Sequence, residues 1–253
     1  MKYYPTKLHE AAANKFVEIF SKDNRVNAIL LICSCARGRA SKDSCVDLGV
    51  IINNWKNYNA IEKKFNSLEK KVKEFRDLSR AGKYAHVDLH ITTGKIEQKE
   101  RGWTTGPDEF ELEIGNIFKY SVVLFDRNRH FEKLKRKYLP YYSEALRKKK
   151  LKEVKRYMYN NIEHIPSYVK RGLYFQSFSR LYNASREFLQ ALFIKRKVYP
   201  ISYDKWIREQ IVDILDEPKL YKEFVSLYEI RHLESNELAR KAKKLKSLAE
   251  NYL

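Results

Sequence analysis

The stretch that decides the fold is residues 26–52, VNAILLICSCARGRASKDSCVDLGVII. It holds two apolar runs, Val26–Ile32 and Val46–Ile52, separated by a segment rich in Ser, Arg and Lys. Apolar runs of this length are typical of buried strands, and the polar segment between them predicts a loop. We therefore expect two strands, joined by a loop that begins at Cys33 and ends near Cys45.

The residues around this stretch predict an α/β first half. Apolar positions at helical spacing predict a helix over Thr6–Phe20 and a long amphipathic segment over Lys56–Ala81. Two more strands are predicted, at Tyr84–Thr92 and Ser121–Phe125. Gly94–Phe110 contains three of the eight glycines of the chain, which predicts an irregular, mobile loop.

The second half changes character near residues 127–133. It contains a single glycine, Gly172, and its apolar residues repeat with a helical period. Prolines, Pro166 among them, are expected where these helices start or stop. The predicted helices are Glu132–Ile162, Ser167–Lys197, Tyr203–Leu215, Lys219–Ile230 and Ser235–Tyr252. The predicted fold class is α+β, with a mixed sheet flanked by helices in a domain over 1–130 and an all-α helical bundle domain over 131–253.

The composition restricts the class of protein. Lysine and arginine number 51 against 32 acidic residues, a net charge of +19. Such a field attracts polyanions such as a nucleoside triphosphate, RNA or an acidic partner, although a heat-adapted surface has the same composition. The sequence shows no export signal and no apolar run near the roughly 18 residues of a membrane span. We therefore expect a cytoplasmic protein that has no membrane partner.

The three cysteines fall within thirteen positions, at Cys33, Cys35 and Cys45. An odd, clustered set does not suit a disulfide framework, and these spacings lack the paired knuckles of a zinc site. We therefore expect reduced thiols.

The loop after the first strand carries the motif CSCARG over residues 33–38, and DSCVDLGV follows over residues 43–50. A small residue and a serine at a strand end let backbone N–H groups and a hydroxyl approach a triphosphate. The pattern resembles the signature of the polymerase-beta-like nucleotidyltransferase superfamily, Gly-Ser after the first strand and Ser-Asp-x-Asp about a dozen residues later. The two aspartates of that signature lie at positions i and i+2 of a strand, so they project from one face, where they hold Mg²⁺.

The resemblance implies a role for each matching residue. Ser34, Arg37 and Gly38 would hold the triphosphate. Asp47 and Asp88 would be the catalytic carboxylates and would bind a pair of Mg²⁺ ions, with Asp88 also a candidate general base.

Two further residues complete the predicted site. Asp43 is a candidate third metal ligand, and Lys205 in the helical half is a candidate nucleotide contact. For each residue a plainer interpretation stays open: Asp47 as a strand-start aspartate, Asp88 as an edge-strand aspartate beside His86 and His90, and a solvated Arg37. Asp88 with the two histidines is also a candidate transition-metal site.

Two positions depart from the family pattern. Cys33 stands where the family has glycine, and Cys45 stands where the first metal-binding aspartate belongs. A thiol is a soft ligand and is mostly protonated near neutral pH, whereas Mg²⁺ prefers charged oxygen. The metal-binding half of the motif is therefore expected to be impaired.

The resemblance extends along most of the chain. Residues 117–126 resemble the closing strand of aminoglycoside-type enzymes, and residues 180–187 and 203–207 are similar to the helical bundle of kanamycin-type relatives. The leading hypothesis is a transferase that moves a nucleoside monophosphate from a nucleoside triphosphate to a hydroxyl with Mg²⁺. The acceptor would be a small molecule or RNA, and a homodimer is a further expectation. The alternatives are an inactive relative that binds nucleotide, RNA or protein, and a nucleic-acid-binding module built on the basic bundle.

Overall fold

The predicted strands pair into one four-stranded sheet, and helices account for most of the remaining chain. The computed structural model describes residues 3–99, 102–103 and 105–253. The helices are α1 (Lys7–Phe20), α2 (Cys33–Ala36), α3 (Tyr58–Glu69), α4 (Lys73–Ala81), α5 (Phe110–Ile114), α6 (His130–Tyr138), α7 (Glu144–Lys170), α8 (Tyr174–Arg196), α9 (Pro218–Val225) and α10 (Glu237–Tyr252). The strands are β1 (Val26–Leu31), β2 (Val46–Ile52), β3 (Val87–Thr92) and β4 (Val122–Asp126). The α+β prediction is confirmed.

The chain divides into two compact units. The first contains Met1–Glu97 and Glu113–Pro140, and the second contains Gln98–Leu112 and Tyr141–Leu253. Among the described residues, none of the helices has both the length and the apolar character required to cross a membrane.

The sheet of the first unit has the order β3-β2-β1-β4. β1 pairs with β2 and with β4 in antiparallel fashion, whereas β2 and β3 are parallel. The end of β1 and the beginnings of β2 and β3 consequently meet at one edge. This edge is where the loop from Cys33 to Cys45 lies.

Alternation along β2 decides which side chains enter the main core. Val46, Leu48, Val50 and Ile52 belong to the cluster that α1, α3 and α4 complete, since side chains two apart share a face. Phenylalanine rings from these helices contact one another there: Phe16, Phe20, Phe65 and Phe75. Asp47 and Gly49 therefore lie on the opposite face.

The segment predicted as one amphipathic stretch, Lys56–Ala81, contains two helices. α3 ends at Glu69 and α4 begins at Lys73, with Val72 between them in an extended conformation. Val72 packs against the core cluster, so burial of its side chain accompanies the break. The periodicity identified the buried stripe correctly but did not reveal the interruption.

The predicted helix Glu132–Ile162 is also wrong as one element. α6 ends at Tyr138, and the residue before Pro140 is extended, because proline disfavours a helical conformation in the residue that precedes it. The next helix, α7, starts only at Glu144.

α7 continues through Pro166, where a boundary was predicted. Pro166 lies on the exposed face, while Ile162, Ile165 and Val169 are buried. Tertiary packing of the buried face outweighs the roughly 3 kcal/mol that a helical proline costs. The actual break is at Gly172, with φ of +71°, so the predicted helix Ser167–Lys197 begins only at Tyr174.

The other predicted helices are shorter than expected. Tyr203–Leu215 is reduced to a π-helical segment at Glu209–Ile214, and Lys219–Ile230 to α9 with a 3₁₀ turn at Ser226–Tyr228. In the second unit α7 and α8 pack against each other, and α10 packs against both. Their apolar faces form a separate core.

A buried polar network joins residues 98–112 to the helices of the second unit. The ammonium of Lys150, which is 3% exposed, lies 3.0 Å from Asp108 and 3.6 Å from Glu111. Gln190 and Tyr142 each donate a hydrogen bond of 2.8 Å to Glu111. Burial opposes ionisation of both carboxyls. Even so, Lys150 holds the pKa of Asp108 below its usual range, while the pKa of Glu111 is raised.

Replacing Lys150 with methionine tests this network. The change leaves the Asp108 charge buried without its cation, so we expect a loss of about 3–5 kcal/mol in the free energy of unfolding. Chemical denaturation would measure it, with Lys148→Met, an exposed neighbour, as control. Equal stability of the two variants would contradict the assignment.

Candidate functional site

The loop after β1 folds into a tight turn that presents Ser34. Residues 33–36 form a single helical turn, which Gly38 ends with φ of +67°. The Gly38 amide donates to the Cys35 carbonyl at 3.0 Å, and the Arg39 amide donates to the Ser34 carbonyl at 2.9 Å. This is the bonding pattern of a helix that ends in a left-handed glycine. Gly38 therefore ends this turn, and its contact with a triphosphate stays a prediction.

Cys33 has the backbone of a glycine. Its φ is +57°, a region that costs a residue with a Cβ roughly 1–2 kcal/mol. The family pattern has glycine at this position, and glycine adopts a positive φ freely. Burial, followed by the negative charge of Asp47, raises the pKa of the Cys33 thiol to about 12.

Cys45 and Asp47 contact each other directly. The Cys45 thiol donates to the Asp47 carboxylate, with 3.3 Å between Sγ and Oδ1. Burial and then the charge of Asp47 raise the pKa of Cys45 to about 12, so this group is a protonated donor at neutral pH. A thiol proton therefore lies against Asp47, at the position where the family pattern has its first metal-binding aspartate.

Asp47 and Asp88 occupy paired positions. They are partners in the parallel register of β2 and β3, so their side chains leave the same face of adjacent strands. Asp88 is exposed, whereas Asp47 is partly buried. Burial raises the pKa of Asp47 and the nearby Asp88 charge adds to the rise, while the Cys45 hydrogen bond and His86 act in the opposite direction.

Two further residues position this edge. The buried His9 of α1 has Nε2 at 3.0 Å from the Ser44 carbonyl and Nδ1 at 2.7 Å from Thr6 Oγ1. It thereby connects α1 to the loop just before Cys45. The His86 carbonyl accepts a bond of 2.8 Å from the amide of Val46. Sequence reasoning missed His9, whose only signal is its place on the buried face of a helix.

The other predicted residues have local contacts of their own. The Asp43 carboxylate lies beside Gly82, where an added Cβ would be 2.7 Å from Oδ1. Arg37 is near enough to Cys33 for its charge to act on that thiol. Lys205 is exposed in a loop of the second unit, and its carbonyl accepts from Gln210 at 2.9 Å. Its contact with a nucleotide stays a prediction, and so do the roles of Ser34, Arg37 and Asp43.

The candidate metal ligands at this edge are two carboxylates and a protonated thiol. Within the described part of the chain, no three or more His, Cys, Asp and Glu side chains form a group that would hold a metal ion. This applies equally to the set of Asp88, His86 and His90. The three cysteines are all free thiols, as predicted.

A family comparison agrees with this arrangement. Residues 13–124 match the family model described as the nucleotidyltransferase domain. This range includes β1, β2, β3, the first three residues of β4 and the whole loop from Cys33 to Cys45. This part of the chain is a nucleotidyltransferase domain. It belongs to the polymerase-beta-like superfamily, as the motif predicted, and the aminoglycoside branch stays a prediction.

Other comparisons are less informative. No curated protein matches the chain. Among solved structures, a nucleotidyltransferase-like protein from Exiguobacterium sibiricum 255-15 is similar over 96% of this chain and 74% of that one, with 15% identity and a TM-score of 0.49.

The strain at Cys33 in the nucleotidyltransferase domain is testable with two substitutions. Cys33→Ala removes the thiol but keeps the Cβ, whereas Cys33→Gly removes both. We expect the glycine variant to be the more stable of the two by about 1 kcal/mol, because only glycine adopts positive φ freely. Thermal unfolding would show it, and an alanine variant of equal or greater stability would refute the strain.

Asp47→Asn is expected to stabilise the domain at neutral pH. The folded pKa of Asp47 lies above its unfolded value, so ionised Asp47 costs stability at any pH above the folded pKa. The cost fades as the pH falls through the folded pKa and is absent below the unfolded one. Unfolding free energies measured across pH should therefore show a gain that shrinks toward acid. Asp77→Asn on α4 is the control, and a gain independent of pH would contradict the prediction.

Proposed function

We propose that the domain binds a nucleoside triphosphate with magnesium and transfers its nucleoside monophosphate to an acceptor hydroxyl. The observation that carries this proposal is the in-register pairing of Asp47 with Asp88, at the same sheet edge as the Ser34 turn. Nucleotidyl transfer needs carboxylates that bind metal and a turn that binds phosphate, and this edge has candidates for both. The family match supports the general reaction class.

The donor set fits one magnesium ion rather than two. Mg²⁺ is commonly bound by one or two carboxylates, with waters and substrate phosphates filling the other positions. Asp47 and Asp88 would hold such an ion as it arrives with the triphosphate. Bound there, it would supply charge stabilisation for the phosphates. The protonated thiol of Cys45 offers no comparable ligand for a second ion.

The chain's own residues would divide the remaining work. Ser34, Arg37 and the turn ending at Gly38 would hold the triphosphate and orient it. The exposed Asp88 would take the proton of the acceptor hydroxyl as its oxygen bonds to the α-phosphorus. The bond from the α-phosphorus to the bridging oxygen breaks, and pyrophosphate leaves. The acceptor would be a small molecule or RNA.

A second candidate function is nucleotide binding without transfer. The specific observation that favours it is the hydrogen bond from the Cys45 thiol to Asp47, because this thiol occupies the position of a metal-binding carboxylate. In this case the domain would hold a nucleotide as a ligand, and its output would be a contact with another molecule.

The aspartate that the motif lacks provides the decisive experiment. Magnesium-dependent binding of each ribonucleoside triphosphate, and pyrophosphate release with kanamycin or bulk tRNA as acceptor, would be measured for the natural protein. Cys45→Asp is expected to tighten magnesium-dependent binding by roughly 10- to 100-fold, since it restores a charged oxygen ligand. Cys45→Ser is the matched control because it removes the thiol without adding a charge.

The outcomes separate the two functions. Acceptor-dependent pyrophosphate release by the natural protein, lost in Asp47→Asn, supports transfer. If the natural protein binds nucleotide but releases no pyrophosphate, even when the Cys45→Asp variant does release it, the result selects the binding function. Failure of the natural protein to bind any triphosphate would refute both.

A further inference from the structure

A basic groove lies on the second unit, and none of the residues assigned to nucleotide transfer lines it. It has a volume of about 510 Å³ and is lined by Gln98, Lys99, Lys149, Lys152, Glu153 and Arg156. All six belong to the second unit, so the groove is a feature of that unit alone. Four of the six lining residues are cationic and one is acidic.

The cations have a regular origin in the sequence. Lys149, Lys152 and Arg156 are spaced three and four apart on α7, so they share one helix face, and all three are exposed. They extend over about 10 Å of the helix axis. That length exceeds one phosphate group and suits consecutive phosphates of a chain.

An aromatic ring lies beside these cations. Trp103 is 46% exposed, and its ring centroid is 4.7 Å from that of Tyr157. The Arg156 guanidinium lies 4.9 Å from the Trp103 centroid. The exposed indole contacts a buried tyrosine and an arginine, so it has little rotamer entropy left to lose when a base stacks on its exposed surface.

We propose that this groove binds single-stranded nucleic acid. Phosphates would contact Lys149, Lys152 and Arg156, and an unpaired base would stack on Trp103. Basic grooves with interleaved aromatic rings bind single strands in this manner, because every base has a face that stacks. A duplex keeps its bases stacked inside and gains nothing from Trp103. An acidic protein would use the charges but would have no base for the indole.

The test is binding of a labelled oligouridylate of about 12 nucleotides, followed by fluorescence anisotropy. Lys149→Glu with Lys152→Glu is expected to weaken binding at least tenfold. Lys243→Glu with Lys246→Glu, two exposed lysines of α10, changes the net charge equally and is expected to weaken it far less. Trp103→Ala is expected to weaken binding roughly 5- to 100-fold, the usual effect of losing one stacked base.

Several results would overturn the proposal. These are equal losses for the two charge-reversal variants, unchanged binding by Trp103→Ala, or a duplex that binds as tightly as the single strand. Circular dichroism of each variant would establish that it is folded. Asp47→Asn is expected to bind the oligonucleotide like the natural protein, so failure of nucleotidyl transfer and failure of this groove are distinguishable.

Discussion

The parallel register of β2 and β3 is the constraint on which the candidate site depends. It pairs Asp47 with Asp88, and the buried residues Val46, Leu48 and Val50 fix it, because a slip of one residue would send them to the other face. The antiparallel pairing of β1 with β2 then brings the Cys33 turn to the same edge. The core on one face of the sheet thus determines the chemistry available on the other.

The same edge concentrates features that oppose folding. Cys33 has a left-handed backbone, and Asp47 is a carboxylate whose ionisation burial disfavours. Strain of this kind persists only where surrounding structure over-determines it, and it is typical of functional sites. Here the aromatic cluster of α1, α3 and α4 and the His9 contact to the Ser44 carbonyl supply the compensation.

Much of this arrangement follows from the sequence, and the exceptions have physical causes. The four strands and the loop between the first two were predictable, because apolar runs and short motifs are local signals. The break at Val72 and the passage of α7 through Pro166 were not, since each depends on tertiary packing. The end of α6 has a local cause, Pro140, which an interpretation based on periodicity alone overlooked. At the candidate site, the sequence predicted Asp47 and Asp88, which the register of β2 and β3 pairs. It did not indicate His9, because a histidine on a buried helix face has no distinctive pattern.

A thiol at position 45 lowers the negative charge at this edge when no metal is bound. A carboxylate at position 45 would share the strand face with Asp47 and adjoin Asp88, so three negative charges would meet at one edge. The thiol removes one of them and donates a hydrogen bond to Asp47 Oδ1, which favours the ionised carboxylate as a nearby cation would. The substitution therefore favours the metal-free fold by the same property that weakens metal binding. This edge is therefore compatible with either of the two proposed functions: a catalytic site whose nucleotide brings the metal, or a binding site that needs no metal.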